Sequence, residues 1–321
     1  MIKKVKIIEE SEPDITENWD KQKNANDYDI VFRKIRRDTV GKSASNPTWG
    51  LIFNVREGNL KLNILKEGLY KEFDYDAPNG SYSEKILSII GKDVLQNVRV
   101  PEIDIVMPYS NEPSTISYKV LDNDKEDMFH ISDLMFYKYD REQIAEKKNI
   151  FTIEDILECI KTQIGDEENY KKVKRDVIHT LLLDAVVNNA ERHNNNWALV
   201  RNIETGIYDL AIYDHSSSLV DLIDEKRFCT CDGWVSSYVT IEEGRNRDGS
   251  LGKDIIEYIH KNYNEHFNEF VEIFSEKLPT MLEKIKQENL PININRLELK
   301  LNQRNSYLKK MRSREEFEYG E

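Results

Sequence analysis

Nine consecutive residues, Asn188–Asn196, hold a single apolar side chain, Ala190, and they separate two segments of opposite periodicity. Upstream, Ile178, Leu181, Leu182, Ala185 and Val186 recur at three- and four-residue steps, which predicts a helix with a buried stripe from Tyr170 to about Val187. The polar run breaks that stripe as a loop does. Downstream, Trp197–Val200 and Ile207–Ile212 predict two short strands, with Asn202–Gly206 as the turn between them. The resulting hairpin carries Asn196 at its entrance and Asp214 just beyond its exit. An amide and a carboxylate can thus converge on one cation at the open end of that hairpin.

The polar run itself holds Glu191, Arg192 and His193. Phosphoryl transfer to a hydroxyl requires this set of groups. One carboxylate accepts or orients the hydroxyl proton, while an amide and a second carboxylate hold the Mg²⁺ that bridges the phosphates. Oxygen donors of that kind suit Mg²⁺. A plainer reading is also open, because asparagine runs cap helices and form turns. The second carboxylate, Asp214, is what separates the two readings.

The stretch from Asn188 to Trp197, followed by Ile212-Tyr213-Asp214-His215, resembles the catalytic loop and metal-binding turn of the HipA-like kinases, including the CtkA-type bacterial serine/threonine kinases. Their pattern runs Asn-x-Asp-x-His-x-x-Asn, then two apolar residues and Asp. Asn189, His193, Asn196 and Asp214 match it, and Glu191 stands where the family has Asp. Arg192 matches the Asp-Arg-His-x-x-Asn form shared with phosphatidylinositol kinases. The close match covers about thirty residues. The resemblance implies an α+β, two-lobed protein-kinase-like fold, with a small antiparallel-sheet N-lobe and a larger, mainly helical C-lobe. It implies ATP and Mg²⁺, and a hydroxyl acceptor, on a protein serine or threonine first and on a phosphatidylinositol lipid second. Glu191 would be the base or hydroxyl-orienting group. His193 and Arg192 would orient it or contact phosphate, and Asn196 and Asp214 would bind metal. Asp184, on the preceding helix, would brace the loop, and Asn189 would be structural. Glutamate is one methylene longer than aspartate, so a nucleotide-binding module without transfer activity is the alternative.

The order of elements agrees with that fold. Strands are predicted at Val5–Ile8, Tyr28–Ile35, Leu51–Val55, Leu60–Leu65 and Leu69–Phe73, with Glu57–Asn59 and Lys66–Gly68 as turns of an antiparallel meander. Ser81–Ile90 predicts a helix capped by Gly91, and Val98–Val106 and Thr115–Leu121 two more strands. From about Met128 the pattern is helical apart from the hairpin, including Asp254–Phe274, Leu278–Ile285 and Leu297–Met311. The expected lobes are residues 1–125 and 126–321, joined near Asp122–Met128.

A kinase holds the nucleotide phosphates with a strand lysine paired to a helix carboxylate. Lys71 in its aromatic strand and Glu84 on the first helix fit that order, with Lys66 as the other candidate lysine. The small-residue loop Gly41–Gly50, with Gly41 and Ser43, would cover the phosphates. Gly41-Lys42-Ser43 also looks like the end of a Walker A loop, but that motif needs a glycine five residues before Gly41 and the chain has Arg36 there.

The net charge of −13 argues against nucleic acid as a partner of the chain. No apolar run is long enough to cross a bilayer. The first ten residues lack the apolar core of a signal peptide. Three cysteines, two of them in Cys229-x-Cys231, suit a reducing compartment, so a cytoplasmic protein is expected. Oligomeric state is not legible.

Overall fold

In a computed structural model, the chain is described at residues 2–9, 19, 25–35, 48–56, 59–75, 78–108, 112–122, 124–138, 151–219, 223, 234–235, 239–241 and 250–318. Gly41, Ser43, Cys229 and Cys231 lie outside these residues.

Strands β1 (Lys3–Ile8), β2 (Ile30–Lys34), β3 (Thr48–Arg56), β4 (Asn59–Lys71), β5 (Ile103–Met107) and β6 (Ser114–Tyr118) close into a barrel in the order β1-β2-β3-β4-β6-β5. The β2-β3-β4 meander is antiparallel, as expected. The expectation of a wholly antiparallel sheet fails at β1, which runs parallel to both β2 and β5. The expected turn at Lys66–Gly68 also fails. Residues 59–71 form one strand, with a register shift against β3 between Leu51 and Phe53. The strand continues through this irregularity instead of turning. Gly68 is required there by crowding: a Cβ would meet Ile52 Cδ1 at 2.7 Å and the Ser117 carbonyl oxygen at 2.8 Å. Val5, Ile30, Phe32, Ile52, Tyr70 and Ile116 fill the barrel.

Helix α1 (Gly80–Val94) lies between β4 and β5 in sequence. It runs through Gly91 instead of ending there; that glycine lies against Val100, whose methyls leave little room for a Cβ. Its apolar face, Ile86, Leu87, Ile90 and Val94, belongs to the large core built by the helices of the second half of the chain. The N-terminal turns of the same helix face the barrel. One element thus contacts both the barrel and the helical core.

The second half begins with β7 (Glu126–His130) and α2 (Ile131–Lys138), followed by β8 (Phe151–Thr152), α3 (Ile153–Ile164) and α4 (Glu167–Val186). Thr152 and Asp155 form a reciprocal capping box at the start of α3. The predicted hairpin is β9 (Trp197–Asn202) and β10 (Tyr208–Ile212), paired from Trp197–Ile212 to Arg201–Tyr208, with β7 added on the β9 side. A short β11 (Val239–Thr240) pairs with β8. Helices α5 (Gly252–Asn262), α6 (Asn264–Gln287) and α7 (Ile294–Glu318) complete the order. The single helix expected over Asp254–Phe274 is two, broken at Tyr263, and α6 runs unbroken from Phe274 to Leu278, where two separate helices were expected, and on through Pro279. No described helix is long and apolar enough to cross a membrane.

Candidate active site

Helix α4 ends where its apolar stripe does. Asn188 turns left-handed, with φ 51°, and the Asn189 N–H donates back to the Asp184 carbonyl at 2.8 Å. Asparagine tolerates that conformation better than most residues and commonly follows a helix end. The chain then runs through residues 188–196 and into β9.

Arg192 organises this loop. It is fully buried, and each of its five N–H groups has an acceptor. Nε and one terminal nitrogen donate to the two Asp184 oxygens at 2.8 and 3.0 Å. The other terminal nitrogen donates to the carbonyls of Asn196 and Tyr213 at 2.8 and 3.1 Å. The last N–H goes to His215 Nδ1 at 3.1 Å. Asp184 also accepts from the Asn189 amide at 2.8 Å. The expectation that Arg192 contacts phosphate or orients Glu191 is therefore corrected, since no N–H is left for either. Arg192 positions the loop by fastening both ends of the hairpin to α4. Asp184 braces the loop as expected. His215 is held neutral well below the usual histidine range, first by burial and then by the Arg192 charge.

The hairpin brings Asn196 and Asp214 to one place. Beyond the Trp197–Ile212 pair, the Tyr213 N–H donates to the Asn196 carbonyl at 3.1 Å, and Asp214 follows directly. The Asn196 side-chain NH₂ donates to the Glu191 carbonyl at 2.9 Å, which turns Oδ1 the other way, as the amide's available acceptor. Asp214 is left-handed at φ 55°, a conformation that costs a non-glycine residue on the order of 1 kcal/mol and is often kept for function.

Lys71 ends β4 opposite Thr115 of β6. Its ammonium donates to Glu84 at 3.1 Å, to Asp214 at 2.8 Å and to the Ser216 hydroxyl at 3.1 Å. The Thr115 hydroxyl lies 3.4 Å from the other Glu84 oxygen. Burial alone would lower the Lys71 pKa, but Glu84 and Asp214 together raise it, so the side chain is a fixed cation. Burial pushes the Glu84 carboxyl up, and Lys71 offsets only part of that. Asp214 responds oppositely: burial would raise it, yet Lys71 and Ser216 hold it below the usual carboxylate range. Glu84 is buried, whereas the Asp214 side chain is 42% exposed and reachable from outside.

Glu191 is exposed and accepts from the Ser217 hydroxyl at 2.5 Å. His193 is half-buried, and its Nδ1 lies 3.3 Å from the Asn195 N–H. Burial lowers its pKa, and the nearby charges of Asp214 and Glu191 pull it partly back. Helix α1 closes the arrangement, with the Ser83 hydroxyl donating to the Ser218 carbonyl at 2.8 Å.

The structure thus joins Lys71, Glu84 and Asp214 directly. It sets Asn196 beside Asp214, and Glu191 beside the same turn through Ser217. The structure adds Ser216, Ser217 and Thr115 to the residues that sequence reasoning proposed for the site. Among the described residues, no group of three or more His, Cys, Asp or Glu side chains is placed to hold a metal ion. Asp214 and the Asn196 amide could offer two ligands, both hard oxygens. That set fits a Mg²⁺ ion which takes its other ligands from phosphate and water.

No family model matches the chain. No curated protein matches it in sequence. Solved structures match its fold. The proinflammatory kinase CtkA of Helicobacter pylori superposes with a TM-score of 0.62 at 18% identity, over 88% of this chain and 95% of that one. A chain of the HipA, HipB and operator DNA complex, a toxin–antitoxin system of Shewanella oneidensis MR-1, superposes with a TM-score of 0.54 at 12% identity, over 87% of this chain and 70% of that one. The chain has the kinase-like fold of CtkA and HipA, as the motif resemblance implied.

Proposed function

We propose that the protein is an ATP- and Mg²⁺-dependent phosphotransferase, a serine/threonine protein kinase of the HipA/CtkA type. The observation that carries this reading is the Lys71 ammonium clasped between Glu84 of α1 and Asp214 of the hairpin exit. A lysine fixed by a helix carboxylate beside a metal-binding aspartate is what phosphoryl transfer needs in order to hold the nucleotide phosphates. The barrel and α1, residues 1–125, form the nucleotide-side lobe, and residues 126–321 the other. ATP binds between them and a protein hydroxyl is the acceptor.

Each residue has a role in that reaction. Lys71 neutralises phosphate oxygens, and Glu84 keeps it aimed. Asp214 and Asn196 Oδ1 would hold the cation, which would supply charge neutralisation on the phosphates. Glu191 orients the acceptor hydroxyl and takes its proton as the new O–P bond forms and the bond from the β–γ bridging oxygen to the γ-phosphorus breaks, releasing ADP. His193 flanks the two carboxylates. Arg192 and Asp184 keep the loop in register. The acidic net charge and the cysteine content support a cytoplasmic protein that does not bind nucleic acid by itself.

One observation favours a second reading, a nucleotide-binding module without transfer: Glu191 occupies the position where the family has aspartate. Incubation with γ-labelled ATP, Mg²⁺ and casein tests both readings. Label on casein or on the protein, lost in Asp214→Ala, supports the kinase. Thermal stabilisation by ATP with no label supports the module, and neither response defeats both.

A further inference from the structure

We propose that Ser217 is the positioning residue that makes a glutamate workable at position 191; this rests on the kinase reading above. A glutamate has one more rotatable bond than an aspartate. Its carboxylate therefore reaches about an ångström further and is less fixed, and misplacement on that scale costs on the order of a hundredfold in rate. Glu191 is exposed, so packing does not fix it. The Ser217 hydroxyl does, donating to Oε2 at 2.5 Å, a short contact of the charge-assisted kind.

Ser217 is itself held. Its carbonyl accepts from the Ala190 N–H at 3.4 Å, the residue just before Glu191. On one side, Ser216 bonds Lys71 and Asp214. On the other, the Ser218 carbonyl accepts from Ser83 of α1, and the Leu219 N–H donates to the Val187 carbonyl at 2.8 Å. Successive serines of one turn thus tie the lysine–aspartate pair and the Glu191 carboxylate into one frame. With Oε2 occupied by Ser217, Oε1 is left to face the acceptor hydroxyl. The extra methylene of Glu191 spans the distance to Ser217, and an aspartate on the same backbone is too short to keep the contact.

The test is a double-mutant cycle on Glu191→Asp and Ser217→Ala, read as kcat and KM for ATP with casein as acceptor. Ser217→Ala is expected to lower kcat about ten- to a hundredfold with KM for ATP unchanged, and Ser217→Thr to restore most of it. In the Glu191→Asp background, Ser217→Ala is expected to cost nothing further, because the contact is already gone. Equal losses in both backgrounds overturn the proposal. So does a loss in KM alone, or no loss with Ser217→Ala. Phosphate recovered on Ser217 after incubation with ATP also overturns it, since the hydroxyl would then be an acceptor. A wild-type protein that transfers no label at all defeats the kinase reading and this proposal with it; transfer by the wild type with additive effects defeats the proposal alone.

Discussion

Arg192 is a charged side chain buried completely, and Asp184 makes that burial tolerable. A fully buried guanidinium deprived of its carboxylate loses on the order of 3–5 kcal/mol. Asp184→Ala is accordingly expected to destabilise the protein by about that amount in urea denaturation, and to release the loop at Asn189 as well. A cost below roughly 1 kcal/mol, the range of an exposed ion pair, would show that the pair is not the brace described here. At this scale the placement of much of the candidate site was legible in the sequence, its roles being those proposed above. Glu191, His193, Asn196 and Asp214 were readable because the chemistry restricts residue type and spacing within a short stretch. Lys71 and Glu84 followed from the order of elements. Thr115, Ser216 and Ser217 were not readable. Hydroxyls occur in every turn, and their partners here lie far off in sequence: Lys71 is 145 positions from Ser216. Arg192 was assigned the wrong task because sequence does not show that a charged side chain is wholly enclosed.

Among the elements, β4 departs most from its sequence pattern. A glycine beside two charged residues reads as a turn, yet Gly68 sits inside a strand because Ile52 and the Ser117 carbonyl leave no room for a side chain. Gly68→Ala is expected to cost about 1–3 kcal/mol by overpacking, measured by chemical denaturation, whereas a turn position would accept alanine with little change. The register shift of β4 and the break at Tyr263 also escaped periodicity, which reports a repeat along the chain and not an interruption of it. Helix α4 carries a pH dependence of its own. His179 packs beside His266, Phe270, Arg175 and Glu269, and burial, reinforced by the Arg175 charge, lowers it from 6.5 to about 3. The unfolded chain therefore takes up this proton first. The stability due to neutral His179 is complete above about pH 6.5 and is lost as pH falls toward about 3, by roughly 1 kcal/mol per pH unit. His179→Gln is expected to flatten the acid limb of a stability–pH curve relative to wild type. Parallel curves for the two proteins would show that the group titrates normally.

For the whole molecule, α1 is the joint. Its first turns carry Ser83 and Glu84 to the site, while Ile86, Leu87, Ile90 and Val94 lie in the helical core. Lys71 comes from the barrel and Asp214 from the end of the β9–β10 hairpin, so the ion pair between them spans the place where the nucleotide is proposed to bind. The broad architecture, strands first and helices after, was legible from the order of elements. The closed barrel with its parallel β1 was not, because strand direction depends on partners far along the chain. The central claim is that the Lys71–Glu84–Asp214 cluster, with Asn196, is a nucleotide–cation site. Calorimetric titration with a non-hydrolysable ATP analogue, with and without Mg²⁺, tests it directly on wild type, Lys71→Met and Asp214→Ala. The account predicts binding by the wild type that strengthens with Mg²⁺, weakens in Lys71→Met and loses its Mg²⁺ dependence in Asp214→Ala. Absence of binding by the wild type, or binding indifferent to Mg²⁺ and to both substitutions, would contradict it.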